Sequence, residues 1–158
     1  ATIESRCAGW AVDRKVRECA ARHPASVLGR LAGDDLGGEA RHLGVALQQG
    51  DPDAQAILQE TAEDLAFGLS HATHLFHPEI IILGGGLSLL GEPLRAEVAK
   101  ALPSFVMAAF APGPRVALAA LREDAVPVGA LRLARLAGAA GVHLPAGAHG
   151  LAESNRLV

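Results

Sequence analysis

Small and apolar positions recur three and four residues apart from Ala54 through Ile57, Leu58, Thr61, Ala62, Leu65, Leu69, Ala72 and Thr73 to Phe76. That spacing is one face of an α-helix held for about seven turns. Asp51 is a good N-cap for it and Pro52 suits its first turn. Asp51 and Asp53 stand where the helix dipole favours negative charge, and Pro78 ends the segment. Upstream, residues 8–23 are also helical in pattern, with Val12, Val16, Cys19 and Ala20 on one face and Pro24 as the stop. Residues 25–38, rich in Gly and Asp, read as a loop. Residues 39–49 predict a short helix closed by Gly50.

Beyond Pro78 the pattern changes. Ile80 to Leu83 is a continuous apolar, β-branched run, which predicts a short, fully buried strand. Residues 92–110 read as a helix with Leu94, Val98, Ala101 and Leu102 on one side, and Pro103 is placed to kink or shorten it. Residues 115–121 read as a second strand and 126–137 as a helix of small residues. Residues 138–158 read as a loosely ordered tail. The order α-α-α-β-α-β-α predicts an α/β fold, helix-rich with a small sheet. Two or three strands make a thin sheet, so more strands would be expected before Ala1. The chain also begins without Met, on a segment that reads like the middle of a protein, which implies a fragment or a processed piece.

Composition narrows the classes. The chain has 158 residues, half of them hydrophobic and 20% charged, enough for one globular domain with a real core. A net charge of −3 gives no reason to expect nucleic acid or an anionic membrane as partner. With four Phe, one Trp and no Tyr, stacking platforms for single strands are not expected. Cys7 and Cys19 have no CxxC spacing and read as reduced core thiols of a cytoplasmic protein. No apolar run approaches the roughly 20 residues that span a bilayer.

The candidate chemistry centres on Gly84, Gly85 and Gly86, which halt the strand abruptly. Glycines after a strand let a ligand rest on bare backbone, and open α/β sheets bind ligands beyond the carboxyl ends of their strands. The alternative is a turn that simply needs positive φ. A dinucleotide fingerprint fails at Leu89, and a P-loop fails because Gly91 is followed by Glu92 and Pro93. His71 and His74 share a helical face, but His77 is rotated by about 240° from His71, so a metal site is not expected there. Ser88 lies in no nucleophile elbow. Glu4 reads as an exposed first-turn acid. The carboxylates of Arg122-Glu123-Asp124 read as a cap and dipole partners for the next helix.

Together these segments resemble a known family. Thr-Ile-Glu-Ser-Arg-Cys-Ala-Gly, Gly-Asp-Pro-Asp-Ala, His-Pro-Glu-Ile-Ile-Ile-Leu-Gly-Gly-Gly-Leu-Ser and Asp-Ala-Val-Pro-Val-Gly-Ala, in that order, are similar to the C-terminal half of the ROK family of repressors and sugar kinases, including bacterial glucokinases. His77 stands where that family usually has Asn. The resemblance covers residues 1–137. It implies one RNase H-like lobe of the actin, hexokinase and Hsp70 superfamily, with ATP (as its Mg²⁺ complex) and a sugar in a cleft between two lobes. It implies that Gly84, Gly85 and Gly86 lie against the adenosine part of ATP, and that Glu4 hydrogen-bonds sugar hydroxyls. It implies a homo-oligomer.

The departures from the family pattern carry equal weight. Thr2 aligns with a zinc-binding Cys of many members, so no zinc is expected in this chain. The Asp-x-Gly-Gly-Thr phosphate loop and the catalytic Asp are absent, which implies a need for an N-terminal lobe and no turnover from this chain alone. Three readings follow: the C-terminal lobe of an ATP-dependent hexose kinase, the sugar-sensing domain of a ROK-type repressor, or a degenerate lobe kept for self-association.

Overall fold

The computed structural model describes residues 2–33, 37–121 and 124–139. It divides into two compact units, residues 1–123 and 124–158. The first holds helices α1 (Glu4–Cys7), α2 (Gly9–Arg22), α3 (Val27–Ala32), α4 (Arg41–Gln48) and α5 (Pro52–Phe76), strand β1 (Ile80–Leu83), helix α6 (Glu92–Ala101) and strand β2 (Arg115–Leu118). Short 3₁₀ turns at Gly86–Leu90, Leu102–Ser104 and Ala108–Phe110 complete it. The second unit contains α7 (Ala125–Ala139), with Pro127 inside its first turn, where a missing N–H leaves no helical bond unmade. Residues 140–158, most of the expected tail, and Arg122 and Glu123 of the expected cap lie outside the described residues. No described helix is long and apolar enough to cross a membrane.

Helix α5 is the spine of the first unit, as its periodicity predicts. Its first turns give Ala54 and Ile57 to one core cluster, with Val12, Val16 and Cys19 of α2, Leu28 and Ala32 of α3, and Leu43 and Ala46 of α4. Its middle gives Leu58, Ala62 and Ala66 to a second cluster, with Leu94 and Val98 of α6, Leu102, Leu83 and Val116. Phe76, expected on this face, is instead exposed at the helix end. There His77 turns left-handed (φ 47°) and donates its N–H to Thr73 O, and Pro78 blocks continuation.

Asp51 shows why α5 starts where it does. Its Oδ1 accepts from the amides of Asp53 (2.8 Å) and Ala54 (3.1 Å), the N-cap expected from sequence. Its Oδ2 accepts from the Leu28 amide at 2.8 Å, so the same carboxylate also caps α3. The side chain is buried, with 3% exposure. Burial pushes its pKa up, but amides from Leu28, Ala54, Asp53 and Val27 outweigh that and hold it below the usual range.

Helix α3 replaces part of the loop expected over residues 25–38. Ser26 caps it by accepting from the Gly29 amide at 2.9 Å, and Leu28 and Ala32 fill the first core. Gly29 lets α3 fold back on the end of α2: a Cβ there would stand 2.3 Å from His23 O and 3.0 Å from Pro24 Cα. The helix expected over 92–110 stops at Ala101, because Pro103 lacks an N–H and crowds the preceding turn.

Strands β1 and β2 pair in parallel, with Ile80 opposite Arg115 and Leu83 opposite Leu118, joined by α6. The second strand ends three residues before its expected limit. The expectation of a fully buried β1 is corrected: Ile81 and Leu83 face the core, while Ile80 and Ile82 are 39% and 61% exposed. Within this unit only one face of the two-stranded sheet is covered.

Two outcomes test this packing. Gly29→Ala would raise stability by up to about 1 kcal/mol if helix propensity decided. The His23 carbonyl instead predicts a loss of about 1–3 kcal/mol in urea unfolding. Asp51→Ala is expected to cost about 2–3 kcal/mol at pH 7, because buried amides lose their acceptor. A depressed folded pKa means that this contribution is present above the unfolded value of about 3.9 and is lost as pH falls through the folded one. The gap between wild type and variant should therefore close in acid below about pH 4.

Candidate functional site

The glycine turn begins where β1 ends. Leu83 is buried and its carbonyl accepts from the Ala119 amide at 2.8 Å, which anchors the strand tip to the residue after β2. Gly85 has φ 80°, a conformation that side chains resist. Gly86 has no such requirement, and a Cβ at either Gly85 or Gly86 would meet nothing within 4 Å. At Gly84 a Cβ would make an ordinary 3.6 Å contact with Ala119. Backbone conformation thus demands Gly85, while open space beside the main chain surrounds Gly86.

Ser88, 4% exposed, closes the turn from beneath. Its Oγ donates to Gly85 O at 2.7 Å and its amide to the same oxygen at 3.0 Å, so the hydroxyl is structural. Leu87 and Leu90 pack against both core clusters and hold the turn between them.

Beside Gly86 lies a groove of about 540 Å³. Its floor is Gly86, Leu87, Leu89 and Leu90. One wall is Gly9 and Asp13 of α2, and the other is Gly38, Ala40, Arg41 and Gly44 at and before the start of α4. Four glycines and three leucines dominate this surface, with Asp13 and Arg41 as its charged residues, and it suits a flat, largely apolar group. Asp13 ties the walls together: its Oδ1 accepts from the Ala40 amide at 2.7 Å and its Oδ2 from the Gly38 amide at 3.2 Å. Next to it Arg17 donates from Nε to Glu39 Oε1 at 2.7 Å, and Glu39 is only 1% exposed. Burial raises the Glu39 pKa, but the amides of Gly37 and Glu39 together with Arg17 leave it lowered.

Glu4 does not line this groove. It is exposed on the first turn of α1, and its carboxylate has no hydrogen-bond partner among the described residues. Its helix is firmly seated. Thr2 and Ser5 exchange amide-to-hydroxyl bonds of 3.2 and 3.0 Å, the reciprocal geometry of a capping box. Arg6 pairs with Asp64, and Ile3 lies over α5 at Gly68, where a Cβ would come within 2.1 Å of Ile3 Cδ1. Thr2 therefore serves as a cap.

The three histidines near the end of α5 do not converge. His71 Nδ1 is 2.9 Å from Phe67 O, His74 Nε2 accepts from the Met107 amide at 3.0 Å, and His77 stacks on Phe110 with ring centroids 4.7 Å apart. Sequence reasoning marked the glycine turn but missed Gly9, Asp13, Gly38 and Gly44. The available signal was Gly9 and Asp13 one helical turn apart, and a glycine pair at 37–38.

Known proteins repeat this architecture. A glucokinase from Thermotoga maritima is 33% identical over 128 residues, which cover 81% of this chain and 40% of that protein. A glucokinase from Streptomyces coelicolor is 34% identical over 136 residues, covering 84% and 43%. The chain thus spans less than half the length of these relatives. Among solved structures, a ROK family glucokinase from Streptomyces griseus, in complex with glucose and AMPPNP, superposes with a TM-score of 0.75 at 32% identity, over 85% of this chain and 44% of that one. A ROK family transcriptional regulator homologous to the E. coli MLC protein shares the fold at TM-score 0.62 and 18% identity, over 73% of this chain and 28% of that one. The actin-like ATPase fold expected from sequence is therefore the fold of this chain. The ROK family pattern matches residues 2–137, and the chain belongs to the ROK family.

Proposed function

We propose that this chain is the C-terminal lobe of an ATP-dependent hexose kinase and that the groove beside Gly86 takes the adenosine of ATP. The observation that carries the reading is the open groove beyond the tip of β1, whose floor sets the bare main chain of Gly86 beside Leu87, Leu89 and Leu90. An adenine ring can lie on the bare backbone of Gly86 and against the apolar side chains of Leu87 and Leu90. The Streptomyces griseus glucokinase, solved with glucose and AMPPNP, supports a nucleotide on this fold.

In this reading Gly84 and Gly85 shape the turn and Gly86 bounds the ligand. Glu4, exposed and unpaired, accepts hydrogen bonds from two sugar hydroxyls, a task a carboxylate performs with directional specificity. Mg²⁺ arrives with ATP. Phosphoryl transfer is mainly positioning and charge stabilisation around the phosphates. The groove offers neither a phosphate loop nor a base, so those come from an N-terminal lobe and this chain alone does not turn over. The exposed Ile80 and Ile82 provide apolar surface for self-association or for that lobe. The fold shared with a transcriptional regulator supports a second reading, a sugar-sensing domain that binds no nucleotide.

Calorimetry separates the two. Adenosine, ADP and ATP are expected to bind within about tenfold of one another, because the groove engages the nucleoside. Gly86→Leu should weaken all three at least tenfold with an unchanged melting temperature, since its backbone and surroundings admit a side chain. Glu4→Gln should leave adenosine affinity untouched. No heat with any adenosine ligand would overturn the kinase reading in favour of the sensor. Asp13→Ala is expected to speed hydrogen exchange at the Gly38 and Ala40 amides and to weaken adenosine as the wall loosens.

A further inference from the structure

At the far end of α2, away from Gly9 and the groove, three side chains of different chemistry meet. Cys19 and His23 are one helical turn apart and share a face, and Asp53 reaches them from the first turn of α5. Each offers one ligand atom, and these atoms all lie within 4.8 Å of one another. His23 Nδ1 is 2.9 Å from both carboxylate oxygens of Asp53. We propose that Cys19, His23 and Asp53 form a binding site for a zinc-class divalent cation that clamps the end of α2 to the start of α5.

The donor set selects the ion. Mg²⁺ and Ca²⁺ take oxygen ligands, whereas one thiolate, one imidazole and one carboxylate suit Zn²⁺. Bonds of about 2.0–2.3 Å around a tetrahedral ion need small adjustments of side chains already this close. Charge balances as well: a thiolate and a carboxylate neutralise a divalent ion. Without it, the buried Cys19 thiol lies against the Asp53 carboxylate, and burial first and that negative charge second hold its pKa up. Three protein ligands leave one tetrahedral position for water, and the exposed His23 lies on the side from which ion and water can enter. The backbone is prepared for this role. His23 ends α2 with its amide bonded to Cys19 O, and Asp53 is fixed by its amide on Asp51.

This site differs from the zinc position discounted from Thr2, and it does not depend on the nucleotide reading. In the sequence, Cys19 and His23 stand at a ligating spacing, but their partner lies 30 residues beyond His23, and only the fold brings it near.

Cobalt absorption on the full 158-residue chain tests the proposal. One equivalent of Co²⁺ should give a thiolate-to-cobalt band and the strong visible absorption of a tetrahedral ion, and Zn²⁺ should displace it. Cys19→Ser is expected to abolish the thiolate band and Cys7→Ser to leave it intact. His23→Ala and Asp53→Asn should each weaken the ion at least tenfold, and Zn²⁺ should raise the melting temperature of the wild type but not of Asp53→Asn. Because Cys19 is buried, the His23 and Asp53 variants decide the matter should Cys19→Ser fold poorly. A wild-type chain without the band, a band that survives Cys19→Ser, or equal zinc affinity in the wild type and both other variants would overturn the site.

Discussion

The fold turns on one buried carboxylate. Asp51 accepts amides from the first turns of two helices that are separate in sequence, and its own amide donates to Ala46 O in α4. Three helices are thereby indexed to one residue. An apolar side chain here could fill the volume, but the amides at both helix starts would be left buried and unpaired, which is the larger loss. Fixing the start of α5 fixes its rotation, and with it which residues reach each core cluster. Had α5 turned by a quarter turn, Ile57 and Leu58 would no longer divide between the two clusters they now serve.

The glycine turn inherits its position from that arrangement. It is a short 3₁₀ turn, with little stability of its own. Leu87 and Leu90 embed it in both clusters, and the buried Ser88 pins the Gly85 carbonyl. Rigid support beneath leaves the upper side free to be bare. The opposing wall follows the same logic from α2, where Asp13 holds the amides ahead of α4. Asp13 and the Arg17–Glu39 pair behind the wall help such a surface keep a defined shape, although Glu39 Oε2 has no hydrogen-bond partner among the described residues.

What could be read from the chain and what could not has a physical pattern. Helix α5 was legible because cap, proline and apolar period agree over seven turns. Helix α3 was not. It has six residues, a glycine in its middle and two core side chains, and its second cap, Asp51, lies 23 residues beyond Leu28. The type of β1 was legible, but its half-exposed character was not, because four consecutive apolar residues carry no alternation to show which face is covered. At the candidate site the glycine turn announced itself through a strand that stops. Gly9 and Gly38 left only a faint signal and Gly44 none, since a residue whose contribution is the absence of a side chain shows its role once the walls are assembled. Glu4 came into view through family resemblance alone, as an exposed acid with no local feature to distinguish it.

The charges nearest the groove bear on function through what they are already doing. Asp13 is saturated by two amides, and Arg17 and Glu39 hold each other behind the wall. Arg41 is the other charged residue lining the groove, and the remaining positions offer shape, apolar side chains and main chain, so a ligand there is held chiefly by its flat, apolar part. That lining fits the nucleoside proposed for it. In the kinase reading the phosphate loop and the base would be brought by another lobe, so a lobe of this kind is compatible with catalysis yet does not specify it. The same consideration explains how one architecture appears in glucokinases and in a transcriptional regulator. In the proposed kinase reading, this lobe would supply one half of a cleft, and the chemistry would be decided by what faces it.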